Sequence, residues 1–162
     1  MGRLRAVTRR ALPPQIERKR RGFIPRQIAA APVAVGWTIE PTVMATILVV
    51  EDDPLIAMSA IDMVKDLGHD TLEAPSGERA LAVLESGERI DLLMTDHAMP
   101  GISGIELARR ARRLHPDLPI LIATGYPDLP EASELGAKCV FKRYVQDQLR
   151  AVFTALLADE RS

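Results

Sequence analysis

Ile47-Leu48-Val49-Val50-Glu51-Asp52-Asp53-Pro54 is the stretch on which the fold turns. Its four apolar residues, three of them β-branched, show no polar alternation and are too few for a helix. That is the mark of a strand buried on both faces. The run stops on three acids. Pro54 suits a helix's first turn, and Asp53 stands where a capping carboxylate belongs. A helical pattern follows to about Leu67, and Gly68 ends it. The unit is a buried strand, an acidic joint and a helix.

Working outward, the unit recurs. Residues 70–74 read as a second strand. Ser76 caps a helix that opens Ser76-Gly77-Glu78-Arg79 and runs to about Leu84, and Gly87 closes it. Ile90 to Thr95 reads as a third strand, followed by a Met99-Pro100-Gly101 turn and a helix from Ser103 or Gly104 to about Leu114. Pro116 and Pro119 break the chain before a fourth strand, Ile120 to Thr124. Pro127 and Pro130 leave room only for a short helix near residues 131–135. Lys138 to Phe141 reads as a fifth strand and residues 145–158 as the last helix. Such alternation implies an α/β fold with a parallel sheet and helices on both faces. Ligands of such sheets bind at the carboxyl ends of the strands.

The chain divides by charge. Residues 1–43 hold nine basic residues against Glu17 and Glu40, whereas the other 119 residues hold 12 basic and 20 acidic side chains. The first segment mixes Arg clusters, Pro13-Pro14, Pro25 and Pro32 without a sustained period, so it buries too little to offset its entropy. Residues 1–43 are therefore expected to be a disordered basic extension, with 44–162 as the domain; Met44 would make a natural start. Nucleic-acid binding, an anionic membrane surface and targeting are the competing readings of the tail. No apolar run approaches about 18 residues, so no membrane span is expected. The single cysteine, Cys139, fits a cytoplasmic location. It is read as a small buried hydrophobe rather than a redox group.

The strand ends carry the chemistry. The first ends in Glu51-Asp52-Asp53, the third in Asp96, the fourth in Thr124, and Lys142 follows the fifth. If the first and third strands are neighbours, their carboxylates converge and call for a hard cation held by oxygen. Acids, a hydroxyl and a lysine on one rim suit phosphoryl transfer, whose transition state needs its oxygen charge neutralised. An acid after a strand is, taken alone, usually a cap or a solvated loop residue. The weight lies in four strand ends with four matching chemistries.

These motifs in this order resemble the receiver domain of two-component response regulators, over residues 46–158. Val49-Val50-Glu51-Asp52-Asp53-Pro54 matches that family's first strand and acidic pair; Asp96 with Met99-Pro100-Gly101 and Gly104 matches its phosphoacceptor loop. The resemblance implies a five-stranded parallel sheet in the flavodoxin-like order 2-1-3-4-5, with a fourth helix short or absent. It implies that Asp96 takes a phosphoryl group from a phosphohistidine. Asp52, Asp96 and the Ala98 backbone carbonyl would hold Mg²⁺, with Glu51 acting through water. Thr124 and Lys142 would bind the phosphoryl group. The implied donors are a histidine kinase or a histidine phosphotransfer protein, with a downstream protein partner beyond them.

Two positions depart from the family pattern. Arg143 follows the lysine where a cis proline is usual. A non-proline cis bond costs about 3 kcal/mol, so a trans bond is expected, which puts the placement of Lys142 in question. Cys139 occupies the usual switch-aromatic position. Ile122-Ala123-Thr124-Gly125-Tyr126 resembles a Thr-Gly-Tyr receiver subtype found alone or ending hybrid kinases, and Tyr126 is the candidate switch aromatic. The short interval after Thr124 makes the first or last helix the better docking face. His97 is read as an exposed loop residue with no part in accepting phosphate. Neither Ala98 nor Tyr126 offers a group to orient water, so slow self-dephosphorylation is expected.

Three other functions compete with a receiver that acts without a DNA-binding output domain and catalyses only its own phosphorylation and dephosphorylation. A haloacid-dehalogenase-type phosphohydrolase wants an acid two residues after its nucleophile, where this chain has Ala98. A phosphorylation-independent binding module would not need the acids, Thr124 and Lys142. Nucleic-acid binding would rest on the basic tail alone and show steep salt dependence.

Overall fold

The computed structural model describes residues 44–159, so the expectations for residues 1–43 and for the last three residues lie outside the described part. Five strands, β1 (Thr46–Val50), β2 (Asp70–Ala74), β3 (Leu92–Asp96), β4 (Ile120–Thr124) and β5 (Lys138–Phe141), form one sheet in the order β2-β1-β3-β4-β5. Every pairing is parallel. The helices are α1 (Pro54–Asp66), α2 (Gly77–Glu85), α3 (Gly104–Leu114), α4 (Pro130–Glu134) and α5 (Gln146–Asp159). None is long and apolar enough to cross a membrane.

The central strands β1, β3 and β4 lack polar alternation because both of their faces are covered, while the edge strands β2 and β5 are largely open. Leu48, Val50, Leu93, Ile120 and Ile122 join one core with residues of α2, α3 and α4. Ile47, Val49, Leu92, Met94 and Leu121 join a second core with Val64 of α1 and Phe153 of α5. Each fully buried side chain of this size contributes about 1.5–3 kcal/mol of transfer free energy, so these two layers dominate the stabilisation.

Helix starts follow their caps. Asp53 accepts the Leu55 and Ile56 N–H groups, Ser76 that of Arg79 and Ser103 that of Glu106. Gly68, at φ 87°, ends α1 in the left-handed conformation that glycine adopts without strain.

Two expectations need correction. The third strand begins at Leu92 rather than Ile90, because Asp91 turns its carboxylate to the Thr46 N–H at 2.8 Å and to Arg89. Cys139 is exposed, not buried. It is in register with Ile122, on the α3–α4 side of the sheet, and α4 has only five residues with which to cover that side. The short α4 itself is as expected.

Candidate functional site

The register of β1 and β3 places the chemistry. Val50 pairs with Thr95, so Glu51 and Asp96 emerge side by side at the carboxyl edge. Glu51, Asp52 and Asp96 each bring a carboxylate oxygen within 4.8 Å of the others'. Glu51 and Asp96 are buried, while Asp52 faces solvent. Asp53 turns away to cap α1, as its place in the sequence predicts.

Lys142 lies across this cluster. Its Nζ is 2.9 Å from Asp96 Oδ1 and 3.5 Å from Glu51 Oε2. Its backbone N–H donates to the Thr124 carbonyl at 2.7 Å, which continues the β4–β5 ladder to the rim. The Lys142–Arg143 bond is trans, there being no cis peptide among the described residues, and Arg143 takes up the turn with φ 75°. A proline is therefore not needed to bring the lysine to Asp96. The strain falls instead on Arg143, since a left-handed conformation is uncommon for a side chain other than glycine.

Electrostatics follow from burial. Desolvation raises the Glu51 pKa above its ordinary value, and repulsion by Asp96 adds to it; Lys142 and the Asp53 N–H only partly offset this. Burial works against the Lys142 charge, yet Asp96 and Glu51 together outweigh it and raise the ammonium pKa. The donor set is all oxygen and crowded with like charge, with one face open to solvent at Asp52. These residues fit a hard divalent cation such as Mg²⁺.

Thr124 ends β4 beside Asp96, buried, with its Oγ1 accepting the Tyr126 N–H at 3.0 Å. Tyr126 is exposed, and its ring meets that of His97 edge to face, with centroids 5.8 Å apart. His97 is thus partly covered rather than the exposed residue expected, and its Nδ1 is buried without a partner among the described residues. The loop after Asp96 is held shut by Gly104, whose N–H donates to the His97 carbonyl at 3.0 Å. A Cβ at Gly104 would run into the Asp96 carbonyl oxygen, so the close approach requires glycine. Met99 pins the loop into the core, and Ala98 stays exposed.

Tyr144 is a residue that the sequence reading passed over. Burial, then the charges of Glu51 and Asp96, push its phenol up to about 12, which keeps it neutral beside the carboxylates. A polar-tipped aromatic two residues past the lysine was the available signal. Although Cys139 is exposed, partial desolvation by its neighbours raises its thiol pKa, which disfavours a reactive thiolate.

Comparison with known proteins agrees with this geometry. Residues 47–154 match the response regulator receiver domain family. Sensor kinase CckA of Brucella abortus is 33% identical over 131 residues, 80% of this chain but 14% of that protein. Sporulation initiation phosphotransferase F of Bacillus subtilis is 32% identical over 108 residues, 64% of this chain and 86% of that one. Several relatives are much longer: the chain spans 24% of a cyclic di-GMP phosphodiesterase of Thermotoga maritima, at 33% identity over 59% of its own length. Among solved structures, a receiver domain protein of Clostridium thermocellum superposes with a TM-score of 0.68 at 26% identity, covering 73% of this chain and 98% of that one. Response regulator TrrA of Thermotoga maritima, in complex with Mg²⁺-BeF, superposes with a TM-score of 0.64 at 34% identity, covering 70% and 100%. By fold, by rim chemistry and by these matches, the chain belongs to the response regulator receiver domain family of two-component systems.

Proposed function

We propose that this chain accepts a phosphoryl group on Asp96 from a phosphohistidine of a histidine kinase or histidine phosphotransfer protein. The observation that carries this reading is the buried Asp96 carboxylate held 2.9 Å from Lys142 within a cluster of three acids. An Asp96 oxygen attacks phosphorus, the bond from phosphorus to the donor imidazole nitrogen breaks, and the nitrogen keeps the electron pair. Lys142 neutralises charge on the phosphoryl oxygens, and the Thr124 hydroxyl donates to one of them.

Asp52, Asp96 and the Ala98 carbonyl would hold Mg²⁺, with Glu51 acting through water. Bound there, the cation would supply charge neutralisation during transfer. The Mg²⁺-BeF complex of the Thermotoga maritima relative supports that choice of ion. Tyr126 is the candidate switch aromatic. Its N–H is tied to Thr124 Oγ1, so a shift of Thr124 toward a phosphoryl group pulls on the Tyr126 loop and its ring contact with His97. The chain catalyses only its own phosphorylation and dephosphorylation.

Incubation with acetyl phosphate and Mg²⁺, read by intact mass, should show one added phosphoryl group, absent in Asp96→Asn and in chelator. No uptake from acetyl phosphate or from phosphorylated kinases would favour a phosphorylation-independent binding module. A phosphohydrolase would instead release phosphate catalytically, which the lack of an acid at Ala98 opposes. The acyl phosphate should last many minutes; loss within seconds in purified protein would refute that expectation.

A further inference from the structure

The first turn of α2 meets the loop after Asp96 at two independent points. Glu78 Oε1 accepts the Ile102 N–H at 3.2 Å, across 24 residues of chain. At Gly77, an added Cβ would lie 2.7 Å from Ile102 Cβ and 2.9 Å from its carbonyl oxygen, so helix and loop leave no space for a methyl group. Gly101 turns the loop with φ 73°, and Glu78 Oε1 sits 2.6 Å from where its Cβ would be. The loop is otherwise fixed by Met99 in the core and by Gly104 against His97. Between Met99 and Gly104, the Glu78 carboxylate is, among the described residues, the side chain from another element that bonds the loop. Its own N–H and Ser76, then the Ile102 N–H and the charge of Arg110, hold the Glu78 carboxyl below its usual range. Glu78 is exposed, so solvent screens its charge and its part is geometric: it supplies an acceptor to the Ile102 N–H.

We propose that Glu78 is a positioning residue for the phosphoacceptor loop, fixing Gly101-Ile102 from the first turn of α2 and thereby holding Ala98 in place beside Asp96 and Asp52. This rests on the reading of Asp96 as phosphoacceptor and of the Ala98 carbonyl as a ligand for Mg²⁺. Mg²⁺ tolerates little departure from octahedral geometry at about 2.0–2.1 Å, so a loop that drifts weakens the ion before it disturbs the fold. Glu78 touches no reacting atom and acts through the loop alone.

The test measures Mg²⁺ binding to the full chain directly by calorimetry, alongside the rate of acetyl phosphate labelling against Mg²⁺ concentration. Glu78→Ala should raise the half-saturating Mg²⁺ by about three- to tenfold, the loss of one ordinary hydrogen bond, with a maximal rate close to the parent's. Glu78→Gln keeps an acceptor and should restore most of the shift. Asp91→Ala removes a bond at the opposite end of the sheet. It should lower thermal stability without moving the Mg²⁺ midpoint, which separates positioning from general destabilisation. An unchanged midpoint in Glu78→Ala, an equal shift in Asp91→Ala, or no recovery in Glu78→Gln would overturn the proposal. Absence of labelling in the parent chain would overturn the phosphoacceptor reading itself, and this one with it.

Discussion

The centre of the sheet and its β5 edge are built differently. Every residue of β3 and β4 is buried, under α2 and α3 on one side and α1 and α5 on the other. In β5 only Val140 is buried; Cys139 and Phe141 stay open because α4 stops after five residues. Glu51, Asp96 and Thr124, the buried polar groups of the rim, stand at the ends of the covered strands. The group that reaches across to them, Lys142, comes from the thin edge. A half-covered edge opens at lower free energy than a packed centre, so motion at this rim should begin with β5 and the Tyr126 loop.

The largest expected effect separates two phenylalanines. Phe153, fully buried in the α1–α5 layer, should cost about 3–5 kcal/mol on truncation to Ala, read by urea denaturation. Phe141→Ser at the edge should stay within about 0.5 kcal/mol. Similar losses at both positions would mean that the edge is packed in solution after all. Next comes Lys142→Ala, which leaves Asp96 buried without its cation. Stability should fall by about 1.5–3 kcal/mol in chelator, the worth of a hydrogen bond to a charged group. Mg²⁺ should restore part of that loss, and no recovery with Mg²⁺ would count against a cation at the acidic cluster.

Glu51→Gln sharpens the electrostatic side of the comparison. The pKa of Glu51 is raised above its ordinary value of 4.5, so the folded chain binds this proton more tightly than the unfolded one. Its favourable contribution is full below 4.5 and is lost as pH rises through the folded value. Glu51→Gln should therefore stabilise the Mg²⁺-free protein at neutral pH, with the gain shrinking toward pH 4.5. A gain independent of pH would contradict the assigned cause. A modest gain is expected at Arg143, whose φ of 75° suits glycine. Arg143→Gly should raise stability by about 1 kcal/mol with labelling unchanged, read from the thermal midpoint.

Much of this was legible because the buried strands are continuous apolar runs and their ends carry unusual chemistry. Ile47-Leu48-Val49-Val50 and Ile120-Leu121-Ile122-Ala123 announce a doubly covered parallel sheet, and Glu51, Asp52, Asp96, Thr124 and Lys142 mark the rim where acids, a hydroxyl and a lysine meet. Cys139 was misjudged because a residue's burial depends on what the neighbouring element covers, and a five-residue α4 covers little. The start of β3 was misplaced because Asp91 serves as a side-chain partner for Thr46, which no period reveals. The Glu78–Ile102 bond, the His97–Tyr126 contact and the charge environment of Tyr144 join residues distant in sequence, so they emerge only once the chain is folded.

Phosphoryl attachment can be located directly. The chain is labelled with acetyl phosphate and Mg²⁺, the acyl phosphate is reduced with borohydride, and the digested peptides are sequenced by mass spectrometry. Homoserine in place of Asp96 is the result this account predicts. Reduction at Asp52 or Glu51 instead, or a phosphoryl group retained on His97, would contradict it.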